Sequence, residues 1–490
     1  MNQINRRKFI QGSAVASAGA LFASKWSAFA ADSSVRGANE EIRCAVVGFK
    51  GRGQSHIDGI NKLREQGHKV RVTALCDVDS QVLAKGAAAQ KEKTGDTVET
   101  YEDIRDLLES RNVDAVMIAT PNHWHALGAI WSIQAGKDVY LEKPVSHNVW
   151  EGRQIVNAAR KYKKIVQTGT QSRSSHAIRD AVQWIKDGNL GKITIARGMC
   201  YKPRNSIGRV SGPQEVPDHI NYDLWLGPAE MTELTREKLH YDWHWVWATG
   251  NGDLGNQGIH QMDIARWFLG EMELSPRVWS VGGRLGYVDD GETANTQIIY
   301  HDYARAPLIF EVRGLPEKKG AKNMDKFMGG SVAVVIHCEG GHVFVPSYTA
   351  ATAFDKGGME IKSWKGADDH YENWIKAVRS RKVEDLTADI LEGHLSSALC
   401  HTGNISHRIG SHADDAKIRG AISNDLGALE TYERMVDHLK ANEVDLLGTP
   451  LTLGADLQMN PKSERFTNNR KANRLLTRDY RKPFVVPKKV

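Results

Sequence analysis

The stretch Gly48-Phe49-Lys50-Gly51-Arg52-Gly53 has the residue types of an anion cradle. Glycine lets a backbone turn sharply and come close to a ligand. Before it runs Ile42–Val47, an apolar run, β-branched at Ile42, Val46 and Val47, that reads as a buried strand. From Gln54 the pattern is helical, with Ile57 and Ile60 on one side. Strand, turn and helix start would aim free N–H groups and a helix dipole at a phosphate. In G-x-G-x-x-G register Gly48 and Gly53 fit, while Lys50 takes the middle position. A tight turn without a ligand is the competing reading. About 24 residues after Gly53, the run Val70, Val72, Ala74, Leu75 ends in Asp77, placed to hold a ribose 2′-OH. Turn and acid together predict a dinucleotide. A carboxylate repels a 2′-phosphate, which favours NAD over NADP; Lys50 or Arg52 could oppose that by pairing with phosphate.

Strands and helices alternate from residue 42 to about 165. Val113–Thr120 reads as a strand leading into Pro121-Asn122-His123-Trp124-His125. A helix over 126–135, a strand Asp138–Leu141, the tripeptide Glu142-Lys143-Pro144, a helix over 149–162 and a strand Lys164–Thr168 follow. This predicts a dinucleotide-binding α/β domain over 41–168, a parallel sheet covered on both faces. Ligands of such sheets sit beyond the strands' carboxyl ends. Gly48, Asp77, Thr120–His125 and Glu142–Pro144 all fall there.

Residues 169–454 read as a second α/β domain. A helix over 176–187 and a strand Lys192–Tyr201 precede an aromatic, loop-rich stretch over 202–256. A helix over 259–269 ends at Gly270, as a C′ glycine would. Strands at 277–285, 294–300, 307–313, 331–338 and 342–346 predict a mostly antiparallel sheet. Helices return at 369–380 and 388–409, and 455–490 reads as a C-terminal arm.

Arg6-Arg7, the apolar run Ala14–Phe22 and Ala28-Phe29-Ala30 predict a twin-arginine signal peptide over 1–30. That implies export of a folded, cofactor-loaded protein to the periplasm. Arg6, Arg7, Lys8 and Lys25 carry four of the six net positive charges, so cleavage leaves +2. With no basic stripe among aromatics, no nucleic-acid partner is expected. No run is long and apolar enough to expect stable membrane insertion. The remaining chain, about 460 residues, calls for more than one core. Five cysteines without CxxC spacing argue against a disulfide framework.

On these landmarks the chain resembles the Gfo/Idh/MocA oxidoreductase family, which includes glucose–fructose oxidoreductase and inositol dehydrogenase. The carriers are the Gly48–Gly53 turn, Ala119-Thr120-Pro121-Asn122 with His125, Glu142-Lys143-Pro144, and Gly252–His260 with Asp263. The resemblance implies an N-terminal Rossmann domain and a C-terminal α/β domain on a large open sheet. That sheet usually joins subunits, so a homo-oligomer, dimer or tetramer, is expected. It also implies cofactor contacts from Thr120, Asn122, His125, Glu142 and Lys143, with Lys143 touching the substrate hydroxyl too.

The family's Asp-x-x-x-His pair falls on Asn256 and His260. Their i, i+4 spacing would put both on one face of a helix start. His260 suits a general base, with an ordinary pKa of about 6.5. Asn256 can hold a sugar hydroxyl but cannot take a proton. The proton work would then fall to His260, Lys143 or another acid such as Asp253. The aromatic cluster with Tyr241, Trp243, His244, Trp245 and Trp247 reads as sugar recognition, or as packing of a long loop. Tyr201, Arg204, Gln171 and Arg173 are placed along the cleft, Tyr201 as an extra proton donor. His123, His125 and His244 lack an accompanying carboxylate or cysteine cluster, so no metal is expected.

The expected protein is an exported NAD(P)-dependent oxidoreductase with a tightly held nucleotide. Its substrate would be a hydroxyl of a sugar, polyol or glycoside. Two alternatives stand beside it: a glycosidase working through a transient keto-sugar, and a non-catalytic sugar-binding protein.

Overall fold

A computed structural model describes residues 40–490; the expected signal peptide lies outside them. The apolar run Ile42–Val47 forms β1, with five of its six residues buried. β2 (Val70–Cys76), β3 (Glu99–Tyr101), β4 (Ala115–Ile118), β5 (Asp138–Leu141) and β6 (Val166–Thr168) join it in parallel. The order is β3-β2-β1-β4-β5-β6, so the winding reverses at β1. A crevice opens at such a reversal. Val47 pairs with Cys76 on one side and Ile118 on the other. Gly48, Asp77 and Ala119 therefore leave the sheet side by side.

The helix expected over 126–135 starts earlier, at Asn122, and runs to Gln134. Pro121 stands at its N-cap, where a missing N–H costs nothing. Asn122 to His125 thus form the helix's first turn and not a loop.

The second sheet holds β7 (Ile193–Tyr201), β8 (Arg277–Gly283), β9 (Thr296–His301), β10 (Leu308–Arg313), β11 (Val332–Cys338), β12 (Gly341–Ser347), β13 (Ala350–Asp355) and β14 (Glu360–Lys365). Their order is β14-β13-β12-β11-β7-β10-β9-β8. β7 and β10 pair in parallel; the other neighbours along this row are antiparallel. Helices His176–Lys186, Ile259–Leu269 and Ile390–Arg408 pack on one face and share its core. On the other face Trp279, Ile298 and Ile309 meet Ile418, Tyr432 and Met435 of helices Asp415–Ile422 and Ala428–Ala441.

Two segments return to the first domain. Trp374, Ile375, Ala377 and Val378 of helix His370–Ser380 pack with Cys44, Val46 and Ile60. From the far end of the chain, Leu457–Asn460 pairs with β8, and Phe484 and Val486 bury beside Trp124 and Leu127.

Candidate active site

A cavity of about 350 Å³ lies along the crevice, between the Gly48–Arg52 turn and Lys143. The turn admits no side chain at its ends. Gly48 has φ +75°, and a Cβ there would sit 2.9 Å from the Thr120 backbone. A Cβ on Gly53 would lie 2.2 Å from the Gly48 carbonyl oxygen. At Gly51 the space is open, and helix Arg52–Glu65 begins there without a side-chain cap. Its first amides therefore donate to no capping side chain, as at helix starts that receive anions.

Asp77 accepts the Phe49 and Asp79 amides, each at 3.0 Å. Burial raises its pKa to about 6 despite those two donors. Its oxygens keep lone pairs for a ribose hydroxyl. Phe49 is among the residues that line the cavity, and its ring packs over Gly86, where a Cβ would meet it at 2.3 Å. Lys50 lies 3.7 Å from Asp79.

Asp79 ties down a cover. His219 Nδ1 and His240 Nε2 each lie 3.0 Å from its carboxylate. Both histidines belong to the long stretch over 202–256. Trp124 Nε1 donates to the Leu224 carbonyl at 2.9 Å, and His123 Nε2 meets the Trp225 carbonyl at 2.9 Å. Trp225, His240, Tyr241, Trp243 and His244 thereby wall the crevice. Asp79 carries a sequence signal as a helix cap; the two histidines carry none.

At the other end, the Lys143–Pro144 bond is cis. Lys143 Nζ donates to the Asn256 carbonyl at 2.8 Å. Burial lowers the lysine's pKa; Glu142 and Asp253 oppose that, while Arg52 and Lys202 add to it. Glu142 accepts from Arg52 Nε at 2.8 Å and from the Lys143 amide at 3.2 Å. Burial pushes its pKa up, but His56, Arg52 and Lys143 outweigh it and hold it at about 2. Glu142 is an anchor for the loop.

His125 meets the Pro144 carbonyl at 2.6 Å and the Thr120 carbonyl at 2.8 Å. It staples the ends of β4 and β5 together. Burial keeps its pKa low even though both carbonyls favour the charged ring. Asn122 Nδ2 donates to Asn251 Oδ1 at 3.0 Å.

Asn256 does not lie in a regular helix start: Leu254–Gly258 forms a π turn before helix Ile259–Leu269. Such turns gather at functional sites. Asn256 lines the cavity. His260 is buried beside Tyr348, ring centres 4.7 Å apart, and its Nδ1 has no hydrogen-bond partner. Burial and then the Lys143 charge lower its pKa to about 3, so the ring is neutral. Gln257 joins Tyr348 and Lys202: its amide donates to the Tyr348 hydroxyl at 2.7 Å and accepts from Lys202 Nζ at 2.9 Å. Neither Tyr348 nor Lys202 stood out in the sequence.

Trp243 and His244 face the cavity and stack on each other, 3.6 Å between ring centres. His244 Nδ1 is held by the Tyr241 carbonyl at 2.6 Å, and burial brings its pKa to about 3.

Three cleft expectations are corrected. Tyr201 lies on the opposite face of the sheet, its hydroxyl donating to Glu311 at 2.8 Å. Strand alternation explains this: Cys200 points to the helices, so Tyr201 points away. Arg204 binds Asp253 at 2.9 and 2.7 Å and the Tyr241 hydroxyl at 3.0 Å, so it braces the wall from behind. Asp253 is thereby engaged in an ion pair with Arg204. Arg173 is locked onto Asp263, both contacts 2.8 Å. Among the described residues no three His, Cys, Asp or Glu side chains converge on a metal site.

A glycine turn at the winding reversal, facing a lysine across a crevice, defines a two-domain NAD-binding oxidoreductase. Residues 42–170 match a family model described as "Oxidoreductase family, NAD-binding Rossmann fold", and residues 176–437 match "Oxidoreductase family, C-terminal alpha/beta domain". The chain belongs to the Gfo/Idh/MocA oxidoreductase family.

An inositol 2-dehydrogenase of Rubrobacter xylanophilus is 29% identical over 280 residues, 52% of this chain and 66% of that protein. A glycosyl hydrolase family 109 protein of a Shewanella species is 31% identical over 181 residues, 34% of this chain and 39% of that protein. The chain thus spans less than two thirds of the length of these curated relatives. The WlbA dehydrogenase of Bordetella pertussis, crystallised with NADH and UDP-GlcNAcA, superposes with a TM-score of 0.54 at 20% identity, covering 74% of this chain and 94% of that one. A levoglucosan dehydrogenase in complex with NADH gives 0.55 at 16% identity, covering 74% and 95%. At such identities the likeness is one of fold.

Proposed function

We propose that this protein is an exported NAD-dependent oxidoreductase acting on a hydroxyl-bearing carbon of a sugar, polyol or glycoside. The observation that carries it is the seat of Lys143. Its ammonium borders the NAD crevice on the Asn256 carbonyl, four residues before a neutral buried His260.

The Gly48–Gly53 turn and the first amides of helix Arg52–Glu65 would hold the pyrophosphate, and Asp77 a ribose hydroxyl. Bound there, the nicotinamide supplies a hydride acceptor and donor. Lys143 manages the hydroxyl proton, while His260 keeps a neutral ring buried beside Tyr348. Burial makes the neutral amine of Lys143 easier to reach, so it can take that proton; in reverse its ammonium returns it. Trp243 offers an apolar ring face to a sugar's C–H surface.

The pinned stretch over the crevice supports a nucleotide retained through the cycle. Export rests on Arg6-Arg7 and the apolar run after them. Assembly as a homo-oligomer belongs to the same proposal; analytical ultracentrifugation tests it.

The direct test is to denature purified protein and identify any released nucleotide by mass spectrometry. Glycosides added to the intact protein, with reduced-nicotinamide absorbance followed, then test the chemistry. Protein without nucleotide and without an absorbance change on a broad sugar panel would sink the proposal. The family 109 match favours one variant, transient oxidation that ends in net hydrolysis. Aglycone release without net NADH distinguishes it.

A further inference from the structure

We propose that the substrate is an anionic carbohydrate, a sugar bearing a carboxylate, and that Lys202 selects for it together with Lys143. This rests on the oxidoreductase reading above.

The charges at the reacting end do not balance. Glu142 is matched by Arg52, and Asp253 by Arg204. Asp263 and Glu392 are matched by Arg173 and Arg266. His260 and His244 are neutral rings at pH 7. Two ammonium groups remain. Lys143 is held by the Asn256 carbonyl and Lys202 by the Gln257 side chain, consecutive residues of one π turn.

Both partners are neutral oxygens, and among the described residues neither ammonium has a carboxylate within ion-pair distance. Each lysine is half-buried. Lys143 feels the attraction of Glu142 and Asp253 against the repulsion of Arg52 and, more weakly, of Lys202. Lys143 lines the cavity and Lys202 is held one residue further along the same π turn, so a negative charge placed there by a ligand attracts both. The residue that could have supplied it, where the family pattern has an aspartate, is Asn256. An oxidised nicotinamide, when bound in the crevice, would add a further positive charge to the site. A substrate carboxylate completes this set; a neutral sugar leaves it uncompensated.

The experiment compares matched pairs on the purified, nucleotide-loaded protein: glucuronate against glucose, and 4-nitrophenyl β-glucuronide against the β-glucoside. Reduced-nicotinamide absorbance gives kcat/KM. The expected result is a preference for the acid of tenfold or more at low salt, shrinking as salt rises. Lys202→Gln should cut that preference about tenfold through KM, and Lys202→Arg should restore most of it. Equal kcat/KM for acid and neutral sugar, or a Lys202→Gln effect equal on both, overturns the proposal.

If no sugar is turned over, it is the oxidoreductase reading that fails. Binding of the same pairs, read by tryptophan fluorescence, still decides the charge preference. Tighter binding of the acid that Lys202→Gln abolishes supports the inference; equal binding refutes it.

Discussion

Lys143 Nζ and the carbonyl oxygen of Asn256 are joined across the domain boundary by a hydrogen bond of 2.8 Å. One residue comes from the loop after β5 and the other from the π turn ahead of His260. The contact fixes the ammonium by a backbone group, so the Asn256 side chain stays free for a ligand.

Lys143→Ala should lower turnover by 10²–10⁴-fold, the usual worth of a positioned acid–base group. Nucleotide content should not change, because the turn that holds it is elsewhere. Burial lowers the Lys143 pKa, so the amine form grows as pH rises through a value below the ordinary 10.5. Hydroxyl oxidation should therefore rise with pH along that limb. His260, at about 3, stays neutral over the whole working range. A pH–rate profile tests both; a limb near 6.5 would reassign the base to an unperturbed histidine.

Asn256→Asp would place a carboxylate beside Lys143. The added negative charge stabilises the ammonium, so the alkaline limb should move to higher pH, by roughly one unit. The same variant should lose preference for acidic sugars. A profile unmoved by this change would show that Lys143 does not set it.

Gly53→Ala should abolish nucleotide retention. Its methyl would stand 2.2 Å from the Gly48 carbonyl oxygen, a backbone atom that cannot step aside. Mass spectrometry of the denatured variant reads this. Gly51→Ala meets no protein atom within 4 Å, so the protein should fold normally. Any loss of nucleotide there reports the ligand's own proximity.

Asp79→Asn should loosen the cover over the crevice, since one carboxylate holds both His219 and His240. Burial alone would raise the Asp79 pKa, but the Val82 amide and the histidines bring it below the ordinary value. A depressed carboxylate stabilises above its unfolded pKa and loses that contribution as pH falls through the folded value. Nucleotide should therefore leak from the native protein below about pH 4, and from Asp79→Asn at neutral pH. Retention through gel filtration is the readout.

The first domain was legible because its parallel strands are buried on both faces and read as plain apolar runs. Their ends named Gly48, Asp77, Thr120 and Glu142 directly. Edge strand β14 was not, because none of Glu360–Lys365 is buried and no pattern marks it. Helix Ala428–Ala441 did leave a trace, with Tyr432, Met435, Val436 and Leu439 at helical spacing. At the site, residue type told where chemistry could occur but not which groups were already engaged. Asp253 and Arg204 look like cleft residues until their mutual pairing is seen. Tyr201 was lost to a parity that one position decides. Lys202 and the His219–Asp79–His240 clasp depend on contacts made by distant segments, which spacing cannot report.

Phe484→Ala should cost about 3–5 kcal/mol, as expected for an emptied aromatic site, seen as a lower Tm. It should also free the wall at Trp124, whose ring lies 5.5 Å from Phe484. Nucleotide exchange faster than in the parent protein is the second readout.

Phe484 and Val486 share one core with Val47, a residue of the first strand. Neither lines the cavity; Phe484 instead backs Trp124, which does, so a segment more than four hundred positions along the sequence supports the wall beside the glycine turn. The two ends of the described chain thus steady the same wall, and a loss at either end is expected to be felt at the crevice.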